Sequence, residues 1–201
     1  MARRFSMCPT WWVRYAGLGL KKFEGRDKAG SSIAALKCLF GISLSVDFHT
    51  RKAKLSISDL EVLTGLSRPM VIRGLKGLAE LRIITVDKKA HVHEYELTVV
   101  AGDVGWGKIP YERVRKELPK MLNRGVIPLT ALKIYFLLVS LRPNESGSVP
   151  ISYETLVEYL GCQRSHIRPA LDILYSHTLV RISSEGTDER QRHNVYTILG
   201  L

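Results

Sequence analysis

Two long stretches of the chain carry apolar residues at helical spacing. Leu36, Leu39 and Phe40 within residues 33–44, and Leu132, Tyr135 and Phe136 within residues 128–141, recur at intervals of three and four. That spacing places side chains on one buried stripe of a helix. A polar stretch follows each, rich in lysine after the first and in proline, asparagine, serine and glycine after the second, and is expected to be a loop. A short helix is predicted next, behind Ser56 or Ser58 in the first half and behind Ser152 in the second; Ser58-x-x-Glu61 has capping-box spacing. Gly65 and Gly161 end these helices, because glycine takes the left-handed turn without a steric penalty. A third helix is expected from Ser67 and from about Gln163. Two β-rich runs close each half, at 82–86 and 92–98, then at 179–183 and 194–199.

The halves are copies of one pattern. A shift of 96 positions superposes Ala35-Leu36-Lys37 on Ala131-Leu132-Lys133 and Phe40 on Phe136. It also pairs Ser56 with Ser152, Leu60 with Leu156, Gly65 with Gly161, Arg68 with Arg164, Leu75 with Leu171 and Leu78 with Leu174. These ten identities span residues 35–84 without a gap, where unrelated sequence would give roughly three. Differing positions stay apolar: Leu55 matches Ile151, Val71 matches Ile167, Ile83 matches Leu179 and Ile84 matches Val180. A shift of 101 pairs Pro9 with Pro110 and Tyr95 with Tyr196. The boundaries that follow are a basic and aromatic lead-in at 1–31, a first unit at 32–100, a joint at 101–105 and a second unit at 106–201.

Helix, helix-turn-helix, then hairpin is the order of a winged helix-turn-helix domain. The residues carrying this resemblance are Leu60-x-x-Leu63-x-Gly65-Leu66-Ser67-x-x-x-Val71-x-x-x-Leu75-x-x-Leu78, followed by Leu81-x-Ile83-Ile84. They recur as Leu156-x-x-Tyr159-Leu160-Gly161-Cys162-x-x-x-x-Ile167-x-x-x-Leu171-x-x-Leu174, followed by Leu179-Val180. The chain thus resembles tandem winged helix-turn-helix proteins. With lead-ins ending in Cys8-Pro9 and Ile109-Pro110, the pair is most similar to plasmid and phage replication initiators. The resemblance implies an α+β, mainly helical fold of two tandem winged-helix domains, binding double-stranded DNA at repeated origin sites. It further implies contact with host replication proteins, a place in the bacterial cytoplasm or nucleoid, a monomer or homodimer, no cofactor and no enzymatic activity. A transcriptional repressor or autoregulator is the other implied role. Some winged helices bind only protein, a reading that applies most to the second unit.

Charge bears directly on this. Thirty Lys and Arg against nineteen Asp and Glu leave the 201-residue chain at +11, which favours a polyanionic partner. Residues 1–100 carry +8 and residues 101–201 only +3, so the first unit is expected to bind DNA more strongly. With 45% apolar and 24% charged residues, the composition is that of a folded globular protein. Cys8, Cys38 and Cys162 have no CxxC spacing and suggest neither a disulfide framework nor a zinc site. No apolar run nears the ~20 residues of a membrane span, and no amphipathic basic helix supports an anionic membrane surface as the partner, so no membrane partner is expected. Ala2-Arg3-Arg4-Phe5 resembles a twin-arginine export signal, but Pro9 and Arg14 interrupt its apolar core.

Candidate DNA contacts follow from the third helices. Val71, Leu75 and Leu78 face inward, which leaves Arg68, Arg73 and Lys76 toward water, with Ser67, Pro69 and Gly74 near the helix start. Such a helix fits the major groove, where arginine can bond guanine O6 and N7. Gly74 and Gly77 read two ways, as close approach to a DNA backbone or as close packing against a neighbouring helix. The second unit presents Gln163, Arg164, Ser165, His166 and Arg168 over Ile167, Leu171 and Leu174. Pro169 predicts a late start or a kink near Arg168, since only the first turn tolerates a missing N–H. Asp172 stands where the first unit has Lys76 and would repel phosphate. Lys88 and Lys89, and Arg190 and Arg192, lie on the hairpin tips, in reach of a minor groove or flanking phosphates. Arg3 and Arg4 form an N-terminal arm.

A rival chemistry rests on His91-Val92-His93, the His-hydrophobic-His pattern of rolling-circle nicking endonucleases, with Tyr111 or Tyr175 as nucleophile. Its counterpart Arg192-His193-Asn194 lacks the pattern and no third ligand is placed, so no catalytic residue and no metal ligand is assigned. There is no GxxxxGK[ST] loop for ATP, and Gly17-Leu18-Gly19 lacks the third glycine of a dinucleotide site. Trp11, Trp12 and Trp106 adjoin the lead-ins and are expected to pack on the first helices, with base stacking as the alternative.

Overall fold

The computed structural model describes residues 4–14, 19–88, 92–98, 105–143, 147–185 and 193–201. The first half begins with β1 (Phe5–Pro9), α1 (Trp11–Arg14) and 3-10 turns at Leu20–Lys22 and Arg26–Lys28. It continues through α2 (Ala29–Ser45), β2 (Lys52–Ser56), α3 (Ile57–Thr64), α4 (Arg68–Glu80), β3 (Ile84–Asp87) and β4 (Val92–Leu97). The second half opens with β5 (Trp106–Pro110), α5 (Tyr111–Glu117), a 3-10 turn at Leu118–Lys120 and α6 (Val126–Leu141). Then come β6 (Ser148–Pro150), α7 (Tyr153–Leu160), a 3-10 turn at Arg164–His166, α8 (Ile167–Ser176), β7 (Val180–Glu185) and β8 (His193–Ile198). The fold is α+β, and each half closes an antiparallel three-stranded sheet, ordered β2-β4-β3 and β6-β8-β7.

The polar stretches read as loops contain strands. In β2, Ala53 and Leu55 point inward while Lys54 is exposed and Lys52 half-buried, so lysine hides a period-two alternation. Pro150 ends β6 on a sheet edge, where no ladder donor is needed. The cap of α3 also differs from the Ser58-Glu61 reading. Ser56 Oγ accepts from the Asp59 amide at 3.0 Å, and the Asp59 carboxylate accepts from the Ser56 amide at 2.8 Å. Starting there puts Ile57, Leu60 and Thr64 on the inner face. Gly65 (φ 66°) and Gly161 (φ 60°) end α3 and α7 in the left-handed conformation. Pro169 falls third in α8, within the first turn, after the 3-10 turn that delays the helix.

α2 and α6 are buried nearly all round, not along one stripe, because each is enclosed by several elements: α2 packs on α3, α4, α6 and β1. The halves meet there through equivalent surfaces. β1 pairs antiparallel with β5, and Met7 faces Lys108, its own counterpart under the shift of 101. Phe40 stacks on its counterpart Phe136 with ring centroids 4.0 Å apart. A side chain on Gly65 would overlap the carbonyl of Pro119, and one on Gly161 would press on Lys21 Cγ at 3.0 Å. Contacts exchanged between like positions are the signature of a two-fold relation. The duplicated chain folds as a dimer-like pair within one polypeptide.

Candidate nucleic-acid interface

α4 forms because Ser67 takes the N-cap position and Pro69 sits in the first turn, where its missing N–H costs nothing. Val71, Leu75 and Leu78 are buried, while Arg68, Arg73 and Lys76 project to water on the other side. Arg68 lies 3.8 Å from Glu61 and Lys76 lies 3.8 Å from Glu80. Such exposed pairs are worth ~0–1 kcal/mol, so the cations stay available. A groove of about 1160 Å³ opens between α4 and the β3–β4 hairpin. Its ionisable lining is Arg68, Lys76, Lys88 and His93, with no carboxylate among the lining residues. Ile72 adds an exposed apolar side chain, of the kind that meets a thymine methyl.

Gly74 is not near the start of α4 but seventh in it, and buried. A Cβ there would sit 2.6 Å from the carbonyl carbon and oxygen of Ala34, so this glycine serves helix-helix packing. Gly77 is less constrained, its nearest neighbour being Ala35 Cβ at 3.9 Å. Lys88 is exposed at the end of β3. Arg3, Lys89, His91, Arg190 and Arg192 lie outside the described residues. Arg4 is exposed, and its carbonyl accepts from the Tyr111 amide at 3.2 Å.

Cations of the second half also have carboxylate neighbours. Arg164 pairs with Glu154 and lies over the Tyr153 ring at 5.5 Å, while Arg168 Nε meets Asp172 at 3.3 Å. The Glu154 carboxyl is held below its ordinary range, first by its own backbone N–H and then by Arg164. Gln163 and Ser165 are exposed, and His166 is half-buried with Nδ1 unpartnered.

Two buried cationic positions escaped the sequence reading. Lys37 Nζ, buried in α2, donates to Thr64 O at 3.0 Å, Met121 O at 2.7 Å and Asn123 Oδ1 at 2.7 Å. Its counterpart Lys133 donates to Leu160 O at 2.6 Å and Phe23 O at 3.1 Å. Thr64 and Leu160 end α3 and α7, where carbonyls lack intrahelical partners and the helix dipole favours a cation. Met121 and Phe23 belong to the opposite half. Each ammonium therefore ties the end of α3 or α7 to the other half of the chain. Burial pushes both lysines down to about 8. The available signal was a lysine amid apolar residues at the same place in both copies.

Trp11 and Trp12 pack inside, and Trp106 is half-buried against the core. Trp12 is fully buried, donates to Pro9 O at 2.8 Å and contacts Phe23 and Phe136, and Trp11 donates to Thr98 O at 2.8 Å. His93 Nδ1 lies 3.3 Å from the Tyr95 hydroxyl. Among the described residues, no three His, Cys, Asp or Glu side chains gather where they could hold a metal, and no helix is long and apolar enough to cross a membrane.

No family model matches the chain, and no curated protein matches it. Among solved structures it is similar to the crystal structure of I-DmoI in complex with DNA and Ca, at 14% identity and a TM-score of 0.24, over 84% of this chain and 83% of that one. Beside this neighbour, a DNA endonuclease, the expectation of a chain without enzymatic activity is not kept. At that TM-score the likeness carries no argument for a fold or for a reaction.

Proposed function

We propose that the chain is a sequence-specific double-stranded DNA-binding protein. It consists of two winged helix-turn-helix units, 32–100 and 106–201 joined at 101–105, with α4 and α8 as recognition helices and the β3–β4 and β7–β8 hairpins as wings. The supporting observation is the groove beside α4, where Arg68, Lys76, Lys88 and His93 surround exposed Ile72 without a carboxylate in the lining. Lysines there suit phosphate oxygens, and arginines suit guanine edges. By the resemblance in its repeated motif, its role is to initiate replication of a plasmid or phage in the bacterial cytoplasm or nucleoid, by binding origin repeats and engaging host replication proteins.

The test is selection of bound sites from random duplex DNA, followed by titration of Arg68→Ala and Arg73→Ala. Each is expected to weaken specific binding by about 1–3 kcal/mol and to relax base preference. Unchanged affinity in both would remove α4 from the reading surface. Arrays of the selected site should support replication of a plasmid supplied with the chain, and failure to replicate would sink the initiator role.

A further inference from the structure

Arg164, just before α8, and Arg168, within it, each lie beside a carboxylate, Glu154 and Asp172, that repels phosphate. Further cations beside α8 come from the other half of the chain. The 3-10 turn Leu20–Lys22 of the first lead-in packs against α7, and Lys21 Cγ fills the space left by the absent Gly161 side chain. Leu20 and Phe23 are buried and anchor this turn, while Lys21, Lys22 and Arg26 are exposed. Lys133 Nζ clamps the arrangement from behind through Phe23 O and Leu160 O. Arg26 is held at φ 50°, the left-handed region that side chains rarely adopt. With Lys28, which lies 3.0 Å from Glu24, the segment sets four cations against the two carboxylates Glu24 and Asp27. A groove of 610 Å³ lies between Lys21, Glu24, Arg26 and Asp27 on one side and Gln163 and His166, which lead into α8, on the other, with Lys22 outside its lining. His166 Nδ1 has no hydrogen-bond partner.

We propose that Lys21, Lys22 and Arg26 of the first lead-in form a phosphate-binding ledge for the DNA half-site addressed by α8. The second unit's backbone contacts are thus supplied by the first half of the chain. The inference rests on the DNA-binding reading above. The residues opening a recognition helix approach the bases, so cations set beside them meet the flanking phosphates and release their counterions. The matching turn at Leu118–Lys120 gives the first unit less, since Lys120 is held by Glu117 at 2.8 Å.

The experiment compares the intact chain with a Lys21→Gln, Lys22→Gln, Arg26→Gln variant on a duplex selected from random DNA by the wild type. The slope of log affinity against log salt should fall by up to ~2.7, about 0.9 per lost phosphate contact, with base preference kept. Ethylation interference should vanish at phosphates flanking the α8 half-site and persist at the α4 half-site. The charge-conserving Lys21→Arg, Lys22→Arg, Arg26→Lys variant should keep the wild-type slope. Lys22→Gln alone, at an exposed position, should lower the slope by ~0.9 even where the triple variant folds poorly. Wild-type binding with unchanged slope and interference in the variants overturns the ledge and leaves the DNA-binding reading standing. A wild type that selects no site overturns both.

Discussion

Phe40 of α2 stacks on Phe136 of α6, and each ring holds in its own half the position the other holds in its half. A contact between a residue and its counterpart lies on the axis relating the two halves. Phe40→Ala and Phe136→Ala should each destabilise the chain by about 3–5 kcal/mol in denaturant titrations. The double variant should fall short of the sum, because the two rings share one contact. Simple additivity would show that the halves are energetically independent at this point.

Burial lowers the ionisation of Lys37 and Lys133 to about 8. The unfolded chain binds those protons up to a pH of about 10.4, so it holds more protons than the folded chain between these values. Their contribution to stability is therefore least favourable below pH 8 and improves as pH rises toward 10.4. Cys8 and Cys38, pushed up to about 12 by burial, oppose this as pH rises, because only the unfolded thiols ionise. Comparison with Lys37→Met isolates the lysine. The stability of the wild type relative to that variant should rise by on the order of 1–3 kcal/mol from pH 8 to 10.4. A flat difference would place the ammonium in water.

Gly74 and Gly77 should respond to alanine with opposite signs. At Gly74 the new methyl meets Ala34 backbone at 2.6 Å, which only a shift of α2 against α4 relieves. Overpacking of this kind costs about 1–3 kcal/mol and exceeds the gain in helix propensity. At Gly77 the nearest atom is 3.9 Å away, so alanine should stabilise by up to ~1 kcal/mol. Thermal melting of the two variants decides it.

The ion pairs on α8 make a directional prediction for DNA affinity. Asp172→Asn frees Arg168 and removes a like charge from the phosphate side, so binding to the selected site should tighten and its salt slope should steepen. Arg68→Ala in the first half should weaken binding more than Arg168→Ala does, since Arg68 lines a groove without carboxylates while Asp172 lies 3.3 Å from Arg168. Equal losses measured by anisotropy would mean that Asp172 lets go of Arg168 on binding.

The two-fold relation also bears on the DNA. Recognition helices related by a dyad address half-sites of opposite orientation. Selection from random sequence should return sites with two inverted half-sites, better defined in the one read by α4. Half-sites in the same orientation within one site would show that the helices do not act as a symmetric pair.

Much was legible locally. Repetition at a shift of 96, the left-handed glycines at 65 and 161, and the inner faces of α4 and α8 all depend on neighbours within a turn or two of the chain. Backbone sterics and hydrophobic period act at that range, so the sequence alone determined them. The strand β2 was hidden because lysines with long apolar stems occupy its edge positions as readily as a loop's. What only tertiary structure decided was which faces meet. Lys37 reads as a solvated charge until α2 is enclosed and Met121 O, 84 residues away, becomes its acceptor. Arg164 and Arg168 read as lone cations until Glu154 and Asp172 fold beside them. Burial and Coulomb attraction depend on distance in space, and the two-fold packing of the repeat sets those distances.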